Sequence, residues 1–102
     1  RGDSKTTTLG ALLQELAAHP DYRHSWRLYD LSGYLITQSE KQITTDLLNE
    51  LSAHPFDFLA RLVGARRGLF LLRVQIFPAE GDTIFFPAEG DTIFRSVKLF
   101  FP

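Results

Sequence analysis

The nine residues LLQELAAHP at positions 12–20 recur as LLNELSAHP at positions 47–55, and this repeat decides the predicted fold. Seven of the nine positions are identical, and the similarity continues more faintly into the residues that follow each copy. Internal similarity at such a spacing indicates one supersecondary unit used twice. We therefore predict two like units, at about 8–40 and 41–77.

Each unit begins with the apolar spacing of an amphipathic helix. In the first unit Leu9, Leu12, Leu13 and Leu16 are spaced i, i+3, i+4 and i+7. In the second unit Ile43, Leu47, Leu48 and Leu51 are spaced i, i+4, i+5 and i+8, which again places them on one side of a helix. Ser39 followed by Gln42 predicts a capping box for the second helix. Pro20 and Pro55 predict the helix ends, because a residue before proline is disfavoured in the α region.

A β-hairpin is predicted after the first helix. The β-rich runs SWRLYD and GYLITQ are joined by Asp30-Leu31-Ser32-Gly33, in which Asp can start a tight turn and Gly can adopt positive φ. The first unit is therefore predicted to be αββ.

The matching part of the second unit, FDFLARLV at 56–63, fits two structures. It fits a helix entered through Pro55 at N1, and it fits a strand with alternate residues on one face. By analogy with the first unit we predict a strand, with 64–68 as the hairpin loop and LFLLRVQIF at 69–77 as its partner.

A second repeat is perfect, since FPAEGDTIF at 77–85 is followed at once by FPAEGDTIF at 86–94. Each AEGD is typical of a turn, so two in tandem predict a meander. Its strands would end near Phe77, span Thr83–Phe86, and run from Thr92 to Phe101. Alternatively, one copy forms a hairpin and the other loops out, and slipped registers or exchange between molecules become accessible.

The predicted fold class is α+β, with two αββ units forming one antiparallel sheet, both helices on one face, and a C-terminal meander. The 102 residues, 44% hydrophobic and 23% charged, fit a single domain at 8–102. Residues 1–7 are interpreted as a disordered polar leader or the remnant of a tag.

Self-association or protein binding is the leading functional prediction, without catalysis. The chain has nine Phe, most of them late in the sequence, and a small sheet cannot bury them all on one side. The predicted interface residues are Phe85, Phe86, Phe94, Phe100 and Phe101. The predicted partner is a second copy, as a homodimer, or another protein.

Nucleic-acid binding is the first alternative. The segment 58–79 contains four arginines and no acidic residue, and arginines beside aromatic rings can hold phosphates and stack bases. These arginines are Arg61, Arg66, Arg67 and Arg73. The net charge of −1 weighs against this class, whose members are usually strongly basic.

A small acid-base or metal-dependent enzyme using His19, His24 or His54 is the second alternative, although the spacing of these residues matches no zinc pattern. We predict no cofactor and no metal. The absence of Cys excludes thiol chemistry. The absence of a long apolar run predicts a soluble protein without a membrane partner, with the cytoplasm or nucleus favoured as its compartment.

Overall fold

A computed structural model describes residues 5–20, 22–64, 67–78 and 92–102 of the chain. The elements in chain order are β1 (Lys5–Thr6), α1 (Leu9–Ala17), β2 (Tyr22–Asp30), β3 (Leu35–Gln42), α2 (Thr45–Ala53), α3 (Pro55–Val63), β4 (Gly68–Pro78) and β5 (Ile93–Phe101). They form one five-stranded sheet in the order β1-β5-β4-β2-β3. The four long strands are antiparallel, and β1 runs parallel to β5. The fold class is α+β, as predicted.

The hydrophobic core lies between the helices and one face of the sheet. Pairing across β2, β4 and β5 aligns Leu28, Leu72 and Val97, all of them buried. The helices contribute Leu12, Leu16, Leu51 and Leu59 to the same core. Three helices therefore cover this face, where two were predicted. None of the helices in the described ranges is long and apolar enough to cross a membrane.

Threonine hydroxyls cap the first two helices. Thr8 Oγ1 accepts a hydrogen bond from the Ala11 N–H at 3.1 Å, and Thr44 Oγ1 accepts one from the Leu47 N–H at 3.0 Å. The capping box predicted from Ser39 and Gln42 is wrong, because both residues belong to β3 and pair with β2. Because Ser39 and Gln42 are paired in the sheet, α2 begins only at Thr45.

The predicted hairpin between β2 and β3 is confirmed. Asp30 Oδ1 accepts hydrogen bonds from the Ser32 N–H and hydroxyl and from the Tyr34 N–H, at 2.9, 2.6 and 2.9 Å. Gly33 has φ +91°, which favours glycine. The Ser32 hydroxyl and the Tyr34 N–H lower the pKa of Asp30 from 3.8, because both stabilise the ionised carboxylate.

The strand predicted for residues 56–63 is wrong, because this segment is helix α3. Pro55 occupies its first turn, where the missing N–H costs no hydrogen bond, and Gly64 ends it at φ +74°. Leu59 and Val63 lie one turn apart and are buried, whereas Phe56 is 53% exposed. The interval 64–68 therefore joins a helix to a strand and is not a hairpin loop.

The repeat is not confirmed as a structural repeat beyond the two helices α1 and α2. The Pro20 copy is followed by the aromatic-rich strand β2, and the Pro55 copy is followed by α3, built from good helix formers such as Leu and Arg. The second unit is therefore ααβ. A shared His-Pro ends both helices but does not specify what comes next.

The duplicated nonapeptide, 77–94, begins within β4 and ends within β5. The predicted middle strand Thr83–Phe86 falls outside the described residues. The strands on either side, β4 and β5, pair directly from Gly68 opposite Phe101 to Ile76 opposite Ile93. Direct pairing is what a hairpin produces, rather than the first and third strands of a meander.

We predict that Leu59→Ala destabilises the protein by about 2–5 kcal/mol, because Leu59 is fully buried on the inner face of α3. Phe56→Ala should cost less, about 1 kcal/mol, because its ring is half-exposed and contacts the core only edge-on at Phe101. Urea unfolding followed by circular dichroism measures both. A larger loss for Phe56→Ala than for Leu59→Ala would contradict the helical assignment.

Candidate functional site

One face of the sheet carries no helix in the described part of the chain, and we call it the open face. It is formed by the odd-numbered residues of β2 and β4 and the even-numbered residues of β5, since side chains alternate between the two faces of a strand. The residues of opposite parity form the core. Any ligand of the sheet would therefore meet the open face.

The open face carries four exposed cations. Arg27 of β2 and Arg73 of β4 are directly opposite each other in the register, with Arg23 and Lys98 further out. Among the described strand residues of this face, the acidic residue is Glu40 on the edge strand β3. Like charges placed directly opposite on neighbouring strands destabilise a sheet. A bound anion would relieve that repulsion.

The ion pairs of the described residues lie on the helix side. Arg95 Nη2 is 3.1 Å from Glu15 Oε1 and ties β5 to α1, and Arg61 pairs with Glu50 between α3 and α2. These two pairs neutralise cations on the core side of the sheet and do not involve the cations of the open face.

Aromatic rings lie among the cations of the open face. The guanidinium carbon of Arg73 is 5.9 Å from the centroid of the Tyr29 ring, within range of a cation–π interaction. Phe94, opposite Gln75 in the register, is half-buried on the same face. A planar ligand could therefore stack beside positive charge.

A shallow depression lies at the centre of the open face. Its volume is about 150 Å³, and its lining residues include Ser25, Arg27, Tyr29, Arg73, Gln75 and Phe94. Ser25 is 6% exposed although it faces outward, because larger side chains stand around it. Drug-sized ligands occupy pockets of about 300–1,000 Å³, so this depression fits a single small ring.

A second depression, of about 220 Å³, adjoins the first. Its lining includes Tyr29, Asp30, Leu71, Arg73 and Lys98. Tyr29 and Arg73 belong to both linings, so the pair stands between the two depressions. A chain-like ligand could place successive groups on either side of this pair.

The structure separates the arginines predicted to bind nucleic acid. Arg73 lies on the open face, whereas Arg61 lies on α3, paired with Glu50 and 5.7 Å from the centroid of the Phe58 ring. Arg67 is exposed immediately before β4, and Arg66 lies outside the described residues.

Sequence reasoning missed Arg23, Arg27 and Lys98 as members of the same surface. The available signal was the alternation in β2, where Arg23, Ser25, Arg27 and Tyr29 occupy every second position. The pairing of β2 with β4, which places Arg27 beside Arg73, could not be deduced from that local pattern.

The predicted phenylalanine interface is also divided. Phe101 is 6% exposed and belongs to the core, with its ring centroid 5.9 Å from that of Phe70, so its assignment to the surface is corrected. The cause is strand parity, because odd-numbered residues of β5 face the helices. Phe100 is 62% exposed on the open face, and Phe94 is half-buried there. Phe85 and Phe86 lie outside the described residues.

The three histidines occupy three different environments. His19 Nδ1 is hydrogen-bonded to the Glu15 carbonyl oxygen at 2.8 Å, His54 is exposed at the start of α3, and His24 is buried in β2. Within the described ranges, no group of three or more His, Asp or Glu residues could hold a metal ion.

His24 is a buried residue beside Trp26, with ring centroids 4.9 Å apart. Burial, and secondarily the charge of Lys41 opposite it on β3, lower the pKa of His24 from 6.5 to about 4. Its Nδ1 and the Trp26 Nε1 have no hydrogen-bond partner within the described structure. His24 is therefore a neutral core residue near neutral pH, outside the open face.

Comparison with known proteins finds no relative, since no family model, no curated protein and no solved structure matches the chain. A functional proposal must therefore come from the structure itself. The candidate site is the open face, with its cations, aromatic rings and two depressions.

We predict that the free energy of unfolding falls by up to about 3 kcal/mol as the pH drops from about 6.5 to about 4 because of His24. In this window the unfolded chain binds a proton at His24 and the folded protein does not. Above it both forms are neutral, and the group contributes nothing to the pH dependence. Urea unfolding across the range measures the effect.

His24→Leu should flatten the pH dependence, because it removes the proton-binding group from the core. His54→Gln, a change at an exposed histidine, is the matched control and should keep the wild-type dependence. If the curves of His24→Leu and the wild type ran parallel, His24 would not be the responsible group.

Proposed function

We propose that this chain is a non-enzymatic binding module that holds single-stranded nucleic acid on the open face of its sheet. The observation that carries the proposal is the placement of Arg27 opposite Arg73, with the Arg73 guanidinium beside the Tyr29 ring. Positive charge with an aromatic ring at one position is the combination that binds phosphates and bases together.

Charge segregation among the described residues supports the proposal although the chain has a net charge of −1. The helices carry acidic residues on the opposite side of the molecule, namely Glu15, Asp46, Glu50 and Asp57. The open face carries four cations against Glu40 and against Asp30, which lies in the lining of the second depression. A local excess of positive charge attracts a polyanion even where the net charge of the protein is slightly negative.

The shape of the open face favours a single strand over a duplex. In the described part of the chain the open face presents a single-ring depression and no helix that could enter a groove, but it offers rings on which unpaired bases can stack. Tyr29 stands between the two depressions, so consecutive bases could lie on either side of it. Arg27 and Lys98 then lie within reach of the connecting phosphates.

The first test replaces Arg27 and Arg73 by Gln together, which removes two charges and keeps similar side-chain length. A labelled single strand of about 12 nucleotides should bind the wild type with a dissociation constant of about 1–100 µM. The double variant should bind at least about tenfold more weakly, and its salt slope should fall by about 1.4. Fluorescence anisotropy at about 50 and about 200 mM salt measures both quantities.

Arg61→Gln is the matched control, because Arg61 lies on the helix side in an exposed ion pair of small energetic value. It should leave the affinity within about twofold of wild type. An equal loss in Arg61→Gln and in the double variant, or no wild-type binding at low salt, would exclude the open face as a nucleic-acid site.

The second test is Tyr29→Ala, which removes the ring between the two depressions. We expect a loss of about 1 kcal/mol or more in binding free energy, the usual value of one base–aromatic stack, with little change in salt slope. Tyr34→Ala is the control, because Tyr34 is 69% exposed in the hairpin turn and lines neither depression. Equal affinity of the two variants would argue against stacking at Tyr29.

A further inference from the structure

The outer edge of β5 is paired over only part of its length. β1 pairs with Arg95 and Ser96, and the chain then leaves the sheet for α1. Within the described residues, no strand lies beside 97–101 on that side. Such an edge is a template for another strand.

The unpaired backbone groups of this edge can be identified. The Thr7 N–H donates to the Ser96 carbonyl oxygen at 2.9 Å, so the carbonyl of Ser96 points outward, away from β4. Backbone groups of successive strand residues alternate between the two sides, so those of Lys98 and Phe100 also point outward. The edge thus offers two N–H donors and two carbonyl acceptors that water or another strand must satisfy.

We propose that a second copy of this chain covers the edge, by antiparallel pairing of β5 with β5 around a two-fold axis at Leu99. Such an interface is self-complementary, because each copy presents the same donors and acceptors. This proposal does not depend on the function proposed for the open face.

The side chains select the register of this pairing. If Lys98 lay opposite Lys98 of the partner subunit, two like charges would repel. If Phe100 lay opposite Phe100 of the partner subunit, Lys98 would meet Pro102 of the partner subunit, which has no N–H. With Lys98 opposite Phe100 of the partner subunit, four backbone hydrogen bonds form and each ammonium lies beside a ring.

The selected register brings the partner strand up to the end of β1. Phe101 of the partner subunit would lie opposite Val97 and Pro102 of the partner subunit opposite Ser96, whose carbonyl oxygen accepts from the Thr7 N–H. Pairing in this register therefore requires Thr7 to give up its position at this end of the edge. The pairing would cover the Phe100 ring, now 62% exposed beside Leu69 at 41% exposed. The two open faces would become continuous across a ten-stranded sheet.

Sedimentation of the full chain over a concentration range centred on about 10 µM tests the proposal. The wild type should form a dimer. Phe100→Lys should weaken it at least about tenfold, because it places Lys opposite Lys98 of the partner subunit. Phe100→Glu should retain or tighten it, because the new carboxylate meets that same ammonium. Circular dichroism and thermal unfolding of both variants establish that they remain folded.

Amide hydrogen exchange supplies a second readout that requires no substitution. The N–H groups of Lys98 and Phe100 should exchange slowly in concentrated protein and quickly on dilution below the dissociation constant. Those of Val97 and Leu99, which face β4, should not depend on concentration. A monomer across the whole range would overturn the proposal. So would a dimer that responds equally to Phe100→Lys and Phe100→Glu or leaves Lys98 and Phe100 unprotected.

Discussion

The two-residue alternation of β4 at the centre of the sheet is the constraint on which the rest of the structure depends. Phe70, Leu72, Val74 and Ile76 all face the helices and are buried. The residues between them, Leu71, Arg73 and Gln75, are thereby forced to the open face. A shift of one residue in the strand register would exchange the two sets, burying an arginine and exposing the core. Burial of the apolar face therefore fixes which side chains lie on the open face.

Charge follows the same division. Among the described residues, four acidic side chains lie on the helices, Asp30 and Glu40 lie in the sheet, and four cations lie on its uncovered side. The net charge therefore underestimates the positive charge of the open face, because it sums over both sides of the molecule and a ligand contacts only one of them. Pairing of a partner strand with the edge of β5 would leave the open face uncovered, and it would extend the charged surface across both subunits.

Much of the fold could be predicted from local pattern, and the largest failure, the strand predicted at 56–63, has a long-range cause. The apolar spacing located α1 and α2, and Asp30 with Gly33 located the turn, because each depends on neighbours within a few residues. The strand predicted at 56–63 failed because its alternation and its helical periodicity were both acceptable locally. The burial of Leu59 and Val63 in the core selected the helix. That burial depends on strands distant in the sequence, which a local pattern does not include.

Local sequence alone specified the helices α1 and α2, the β2–β3 hairpin and the two-residue alternation of side chains along a strand, since these follow from short-range hydrogen bonding and side-chain direction. The tertiary structure alone decided that β2 pairs with β4, so that Arg27 lies opposite Arg73 across an interval of 46 residues, 73 minus 27. It also decided that Phe101 is core while Phe100 is surface. Pairing between distant strands is selected by the burial of the whole apolar face, which no local stretch of the chain encodes.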